Sequence, residues 1–197
     1  MSPSPAKATI IVVGGYTGFA EKYFETFNDL VVHGYNVGTL DWRGQGGSQR
    51  YLPDPRMAHS IGFEHDVADL EQYLKHDSGT PIYLVAHSMG GNIALRLPHD
   101  HPNLVRAAIL SGLMVAAGFG ESYALGQHEW RDDAMRNATR LGGGTYRWAY
   151  EFYRSCATVM SPSYLEAIRT PILMGSAGQD TFVDSTAHRE ACARLPA

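Results

Sequence analysis

One serine is set among neighbours that chemistry would need. Ala86-His87-Ser88-Met89-Gly90-Gly91 follows the apolar run Ile82-Tyr83-Leu84-Val85 and opens a segment of helical pattern. A serine hydroxyl attacks poorly unless a base takes its proton and nearby donors hold the oxyanion it creates. A strand, a sharp turn and a helix supply part of this. The turn pushes the hydroxyl outward, and the N–H after the serine, at the helix start, faces the developing oxyanion. Strand and helix backbones approach closely at such a turn, so the residues two before and two after must be small. Ala86 and Gly90 meet that demand, with Ala86 where glycine is commoner. Gly91 lets the helix pack tightly on the sheet. Ser88 therefore reads as a nucleophile and the Met89 N–H as an oxyanion donor. The other reading is that Ser88 only caps the helix, since serine is a preferred N-cap residue.

Elements that position this serine are legible on either side. Ile10–Val13 is a β-branched run stopped by Gly14-Gly15, a strand ending in a turn. Glu21–Val32 has helical spacing, with Tyr23, Phe24, Phe27, Leu30 and Val31 on one face, and His33-Gly34 ends it. Tyr35–Leu40 is a second strand, and Gly44–Arg56 a long Gly- and Pro-containing loop. Phe63–Leu74 is a helix with Val67, Leu70 and Leu74 inward. Pro81–Ala86 is a third strand, Ser88–Leu97 a helix, Val105–Leu110 a fourth strand and Pro171–Met174 a fifth. Strands alternating with helices predict a parallel sheet with right-handed crossovers. Continuous apolar strands predict burial on both faces. Met114–Ile168 interrupts the rhythm as an insert that reads as mostly helical. The whole of residues 1–197 reads as one domain.

Composition narrows the function. The 197 residues carry 16 basic and 20 acidic side chains, a net charge of −4, which argues against a nucleic-acid binder with a basic stripe. Cys156 and Cys192 form no CxxC pair, so a reducing cytoplasm is the expected compartment. No apolar stretch reaches the length of a membrane span. No His or Cys spacing points to a metal, and no cofactor is implied.

The segment Val85–Asn92 resembles the nucleophile segment of α/β-hydrolases, in particular the lysophospholipase and monoacylglycerol lipase group (serine aminopeptidase S33-like hydrolases). Three further segments agree in chain order. Asp41-Trp42-Arg43-Gly44-Gln45-Gly46-Gly47-Ser48 is similar to that group's Asp-x-Arg-Gly-x-Gly-x-Ser loop. Gly14-Gly15-Tyr16 stands at its oxyanion turn, with Gly14 where the group usually has His. Ala177–Asp184 looks like its acid loop. The resemblance implies an α/β-hydrolase fold: a mainly parallel sheet, helices on both faces and a short helical cap formed by the insert. It implies Ser88 as nucleophile, Asp180 as triad acid, and the Tyr16 and Met89 N–H groups as the oxyanion hole. Asp184 suits the capping of the following helix better than Asp180 does. The implied substrate is a small-molecule carboxylic ester, of lysophospholipid or monoacylglycerol type, with transient membrane contact.

A triad also needs a base, placed after the acid in this fold. Only 17 residues follow Asp180, and His188 is their one histidine. It falls within a predicted helix and is expected at the surface. His87 is expected to project away from Ser88. Only nine residues precede Ile10, where the group has further strands. The chain therefore reads as abridged at both ends, with terminal strands and the base histidine beyond it. Tyr146, Trp148, Tyr150, Phe152 and Tyr153 are expected mainly to pack the insert on the core. Two other readings remain open. One is a hydrolase-fold protein without catalysis. The other is a dinucleotide-binding protein, because Gly14-Gly15-x-x-Gly18 follows a strand and Asp41 ends the next.

Overall fold

The computed structural model describes residues 6–76, 79–116, 141–178, 180 and 183–196. Five parallel strands form one sheet: β1 (Thr9–Val13), β2 (Asn36–Leu40), β3 (Ile82–His87), β4 (Ala107–Ser111) and β5 (Ile172–Gly175), in the order β2-β1-β3-β4-β5. The register pairs Val13 with Leu40 and Ala86, and Ala86 with Leu110, so the C-terminal ends of the central strands finish level. The helices are α1 (Phe24–Val32), α2 (Phe63–His76), α3 (Met89–Asp100), α4 (Tyr146–Val159) and α5 (Ser185–Arg194). Boundaries fall within a few residues of the predicted ones. The helix expected from Glu21 starts as a 3-10 turn, Ala20–Tyr23, and becomes α-helical at Phe24. The helix after Ser88 continues to Asp100 with Pro98 inside it. Of the insert, residues 117–140, including His128, lie outside the described residues, as do Met1–Pro5 of the opening segment.

Only the step from β1 to β2 runs toward one edge; all later steps run toward the other. Right-handed crossovers then put α1 on one face of the sheet and α2 and α3 on the opposite face. The main core lies on that second face. Ile11, Val13, Leu84, Ala86, Ala108 and Leu110 meet Leu70, Leu74, Ile93, Leu97, Phe152 and Val159 there, all buried. Arg194 Nη1 donates to Met160 O at 2.9 Å, which ties α5 to the end of α4.

The expectation of burial on both faces holds at β1, where Val12 on the face opposite the core is also buried, but not at β3, β4 and β5. Tyr83, Ile109 and Leu173, on the face opposite the core, are 39%, 47% and 65% exposed. With Ala107 and Pro171 they line an open groove of about 350 Å³. No helix among the described residues covers β3, β4 and β5 there, because α1 is drawn to the β1–β2 side. The double substitution Ile109→Thr with Leu173→Lys is expected to cut apolar-dye binding and self-association while leaving the melting temperature within a few degrees. Unchanged dye binding would mean that this face is covered in solution.

Candidate active site

Ser88 lies between the last residue of β3 and the first of α3, with φ 54° and ψ −117°. Non-glycine residues seldom adopt this backbone, and it persists only where the surroundings enforce it. Here they do. The Ser88 N–H donates to Ser111 O at 2.9 Å, and its carbonyl accepts from Asn92 N and Met114 N, each at 3.2 Å. The serine occupies the N-cap position, yet among the described residues its side chain makes no capping hydrogen bond. A serine kept only as a cap would accept from the second or third helical N–H. Met89, the first helical residue, is buried, and its N–H has no acceptor within α3.

Close approach explains the small residues. A Cβ on Gly90 would lie 2.4 Å from Gly14 O and 3.0 Å from Val13 O, so α3 starts against the end of β1. A Cβ on Gly15 would lie 2.8 Å from Ser88 Cβ. The Gly14-Gly15-Tyr16 turn thus borders Ser88, as expected, and the Tyr16 ring packs at a tilt of 37° against Trp148 of α4, at a centroid distance of 4.2 Å.

That turn is tied down by the loop after β2, a role sequence reasoning did not assign. Trp42 Nε1 donates to Gly14 O at 2.7 Å. Asp41 Oδ1 accepts from Ala20 N at 2.9 Å, and Asp41 Oδ2 from Gly47 N at 2.7 Å. Gln45 Oε1 accepts from Thr17 N at 2.7 Å. Arg43 in turn grips Asp69 of α2, with Nη2 2.6 Å from Oδ1. The Asp-x-Arg-Gly-x-Gly-x-Ser pattern signalled the loop but not what its side chains hold.

Asp180 follows β5, and its Oδ1 accepts from Val183 N at 3.0 Å. Its Oδ2 lies on the side of Gly112, which follows β4. Asp184 caps α5, accepting from Thr186 N at 2.7 Å and Ala187 N at 3.4 Å, as expected of it. Gln179, Thr181 and Phe182 of the expected acid loop lie outside the described residues.

His188 corrects the sequence reading. Expected at the surface, it is 1% exposed. Nε2 donates to Leu113 O, and Nδ1 then accepts from Ser176 Oγ at 2.8 Å. Both ring nitrogens are engaged, so His188 pins α5 to the segment after β4. In α5 it lies on the inward face that Ala187 and Ala191 share. His87 donates from Nδ1 to Ser111 O at 3.1 Å, and its ring packs between Gly15 and Gly112.

The insert helix is keyed to the serine's helix by a buried chain. Asn92 Nδ2 donates to Met114 O at 2.8 Å, Ser155 Oγ donates to Asn92 Oδ1 at 2.6 Å, and Arg96 Nη1 lies 3.1 Å from Ser155 Oγ. Trp148 and Phe152 pack inward, four residues apart. Tyr146, Tyr150 and Tyr153 are exposed, fewer packed aromatics than expected. Among the described residues no group of three or more His, Cys, Asp or Glu forms a metal cluster. None of their helices is long and apolar enough to cross a membrane.

One ionisable group near the loop has a strongly altered equilibrium. Burial of Asp66 in α2, reinforced by the Asp69 carboxylate, pushes its carboxyl up from 3.8 to about 7; Arg43 and Arg96 oppose this and Glu64 adds to it. The folded chain therefore keeps a proton that the unfolded chain releases near pH 3.8. Stability on this account is highest below about pH 4, falls as pH rises to about 7, and stays lower above. Relative to the parent, Asp66→Asn is expected to gain stability between pH 4.5 and 8, by about a few kcal/mol at most. Urea unfolding of both proteins at the two pH values checks this.

Comparison with known proteins agrees with this architecture. Residues 4–127 match the family described as "Serine aminopeptidase, S33". Lysophospholipase L2 of Escherichia coli K12 is 27% identical over 93% of this chain and 66% of its own length. The chain thus spans 66% of the length of that relative. The monoglyceride lipase of Saccharomyces cerevisiae is 25% identical over 55% of this chain and 36% of its own. A crystal structure of a soluble variant of that lipase, in complex with a substrate analog, superposes with a TM-score of 0.79, covering 100% of this chain and 76% of the other at 18% identity. The family match extends over more than half of the sequence and the parallel sheet agrees in fold, so the chain belongs to the serine aminopeptidase S33 family of hydrolases, with the α/β-hydrolase fold.

Proposed function

We propose that this chain is a serine hydrolase that cleaves carboxylic esters of lysophospholipid or monoacylglycerol type through an acyl-enzyme on Ser88. The observation that carries the reading is the backbone of Ser88, at φ 54° with a side chain that caps nothing among the described residues. Strain of about 1–3 kcal/mol at one serine is kept where it exposes a reactive group. In this reading Ser88 Oγ attacks the ester carbonyl as its proton passes to a base, and the alcohol leaves to give an acyl-enzyme. The Tyr16 and Met89 N–H groups hold the oxyanion, each contributing about 3 kcal/mol. Asp180 orients the base. Water then attacks the acyl carbonyl, and the acid is released with Ser88 restored. The ester class rests on the relatives named lysophospholipase and monoglyceride lipase.

The base is the open component. His188 has both ring nitrogens committed and is not free to take the Ser88 proton. The same observation favours a second reading, a hydrolase-fold protein without catalysis. Fluorophosphonate labelling of the folded chain, read by intact mass, separates the two. One adduct at Ser88 supports the hydrolase, and no adduct on a folded chain supports the non-catalytic reading.

A further inference from the structure

We propose that Gln45 is a positioning residue of the oxyanion turn, one buried amide that links the turn carrying Tyr16 to the residue after Ser88. This rests on the hydrolase reading above and names a part of its machinery.

Gln45 sits in the loop after β2, where tight turns fix its backbone. Its N–H donates to Trp42 O and its carbonyl accepts from Ser48 N, both at 2.9 Å. The side chain is turned inward and is 3% exposed. A backbone N–H can only donate, so the amide oxygen must face Thr17 N, at 2.7 Å. The amide nitrogen is thereby directed to Met89 Sδ, at 3.6 Å. A thioether is a weak acceptor, so the first bond carries most of the energy. The second fixes the direction in which the amide points.

The bond to Thr17 matters because of where Thr17 is. Its φ is 61°, a region that a β-branched residue avoids. Its N–H belongs to the peptide unit that also carries the Tyr16 carbonyl. Anchoring that unit fixes the backbone between Tyr16 and Thr17, and with it the direction of the neighbouring Tyr16 N–H. An oxyanion donor contributes only when aimed at the oxyanion before reaction. Without Gln45 the Thr17 N–H would be left unpaired near the protein interior, and relaxation to ordinary φ would swing the turn. Trp42 on Gly14 O and Asp41 on Ala20 N hold the two ends of the same turn; between them Gly18 N donates to Gly15 O and Lys22 Nζ to Thr17 O, and Gln45 alone among the described side chains takes the Thr17 N–H.

The test uses Gln45→Met, which keeps length and volume but removes both hydrogen bonds. Gln45→Asn, one methylene shorter, is the milder variant should the first not fold. Val67→Ala, in the buried face of α2, serves as a destabilised control away from the turn. Fluorophosphonate labelling of Ser88 is followed against reagent concentration, so that the maximal rate and half-saturation separate. The maximal rate is expected to fall about 10- to 100-fold in Gln45→Met with half-saturation unchanged, and less in Gln45→Asn, while Val67→Ala labels at the parent rate. Parent-like labelling of folded Gln45→Met would overturn the proposal, as would an equal loss in Val67→Ala. If the parent chain takes no label, the hydrolase reading has failed, and the brace itself is read by amide hydrogen exchange. Thr17 N–H exchange is then expected to quicken at least about tenfold in Gln45→Met, with Ile11 and Leu84 unchanged. Unchanged Thr17 exchange overturns the brace.

Discussion

Ser88→Ala is expected to fold as the parent does and to take up no fluorophosphonate, a loss on the order of 10⁴-fold or more. The reason is chemical: alanine has no oxygen to attack phosphorus. The reason it should still fold is structural. Among the described residues the hydroxyl caps nothing, so its removal leaves no buried partner unsatisfied. Ser88→Gly sharpens the test. Glycine adopts positive φ without a Cβ penalty, so this variant is expected to be more stable than Ser88→Ala by about 1 kcal/mol or more. Loss of labelling together with a gain in stability would identify strain retained for reactivity. Labelling that persists in Ser88→Ala would place the reactive group elsewhere and sink the assignment. Equal stability of the alanine and glycine variants would mean that the backbone at 88 relaxes freely.

Gly90→Ala is expected to destabilise the fold by about 3 kcal/mol and to slow any reaction at Ser88. The added methyl would meet Gly14 O at 2.4 Å and Val13 O at 3.0 Å, and both are backbone atoms at the end of β1 and the residue after it. Neither can rotate away. The start of α3 must retreat from β1, and Met89, the first residue of that helix, retreats with it. The same substitution at Gly143 meets nothing within 4 Å and is expected to be nearly neutral. Urea unfolding of both variants separates a local clash from a general effect of replacing glycine. Parent-like stability of Gly90→Ala would mean that α3 and β1 are less closely packed than described.

Much of this site was legible because its constraints are local. A strand, a serine and a helix adjacent in sequence must be adjacent in space, and the small residues flanking Ser88 record the crowding. Asp184 was read correctly as a cap for the same reason, since it bonds N–H groups two and three residues away. His188 was misread because a helix of low amphipathicity does not announce which side is covered. Its partners, Leu113 O and Ser176 Oγ, come from two other segments of the chain. Gln45 gave no signal, because a glutamine in a glycine-rich loop is ordinarily solvated. What buries it are Thr17 and Met89, 28 and 44 residues away.

By itself the sequence determined the alternation of strands and helices, and therefore a parallel sheet, since short-range periodicity and turn residues dictate each element. It also determined the turn at Ser88. Strand order was decided only in three dimensions. One reversal of direction, from β1 to β2, leaves α1 on a face of its own, with Tyr83, Ile109 and Leu173 exposed beside it. A run of apolar residues carries no mark of which face will be covered. Coverage depends on where distant helices settle, and handedness with strand order fixes that only once the whole sheet is assembled.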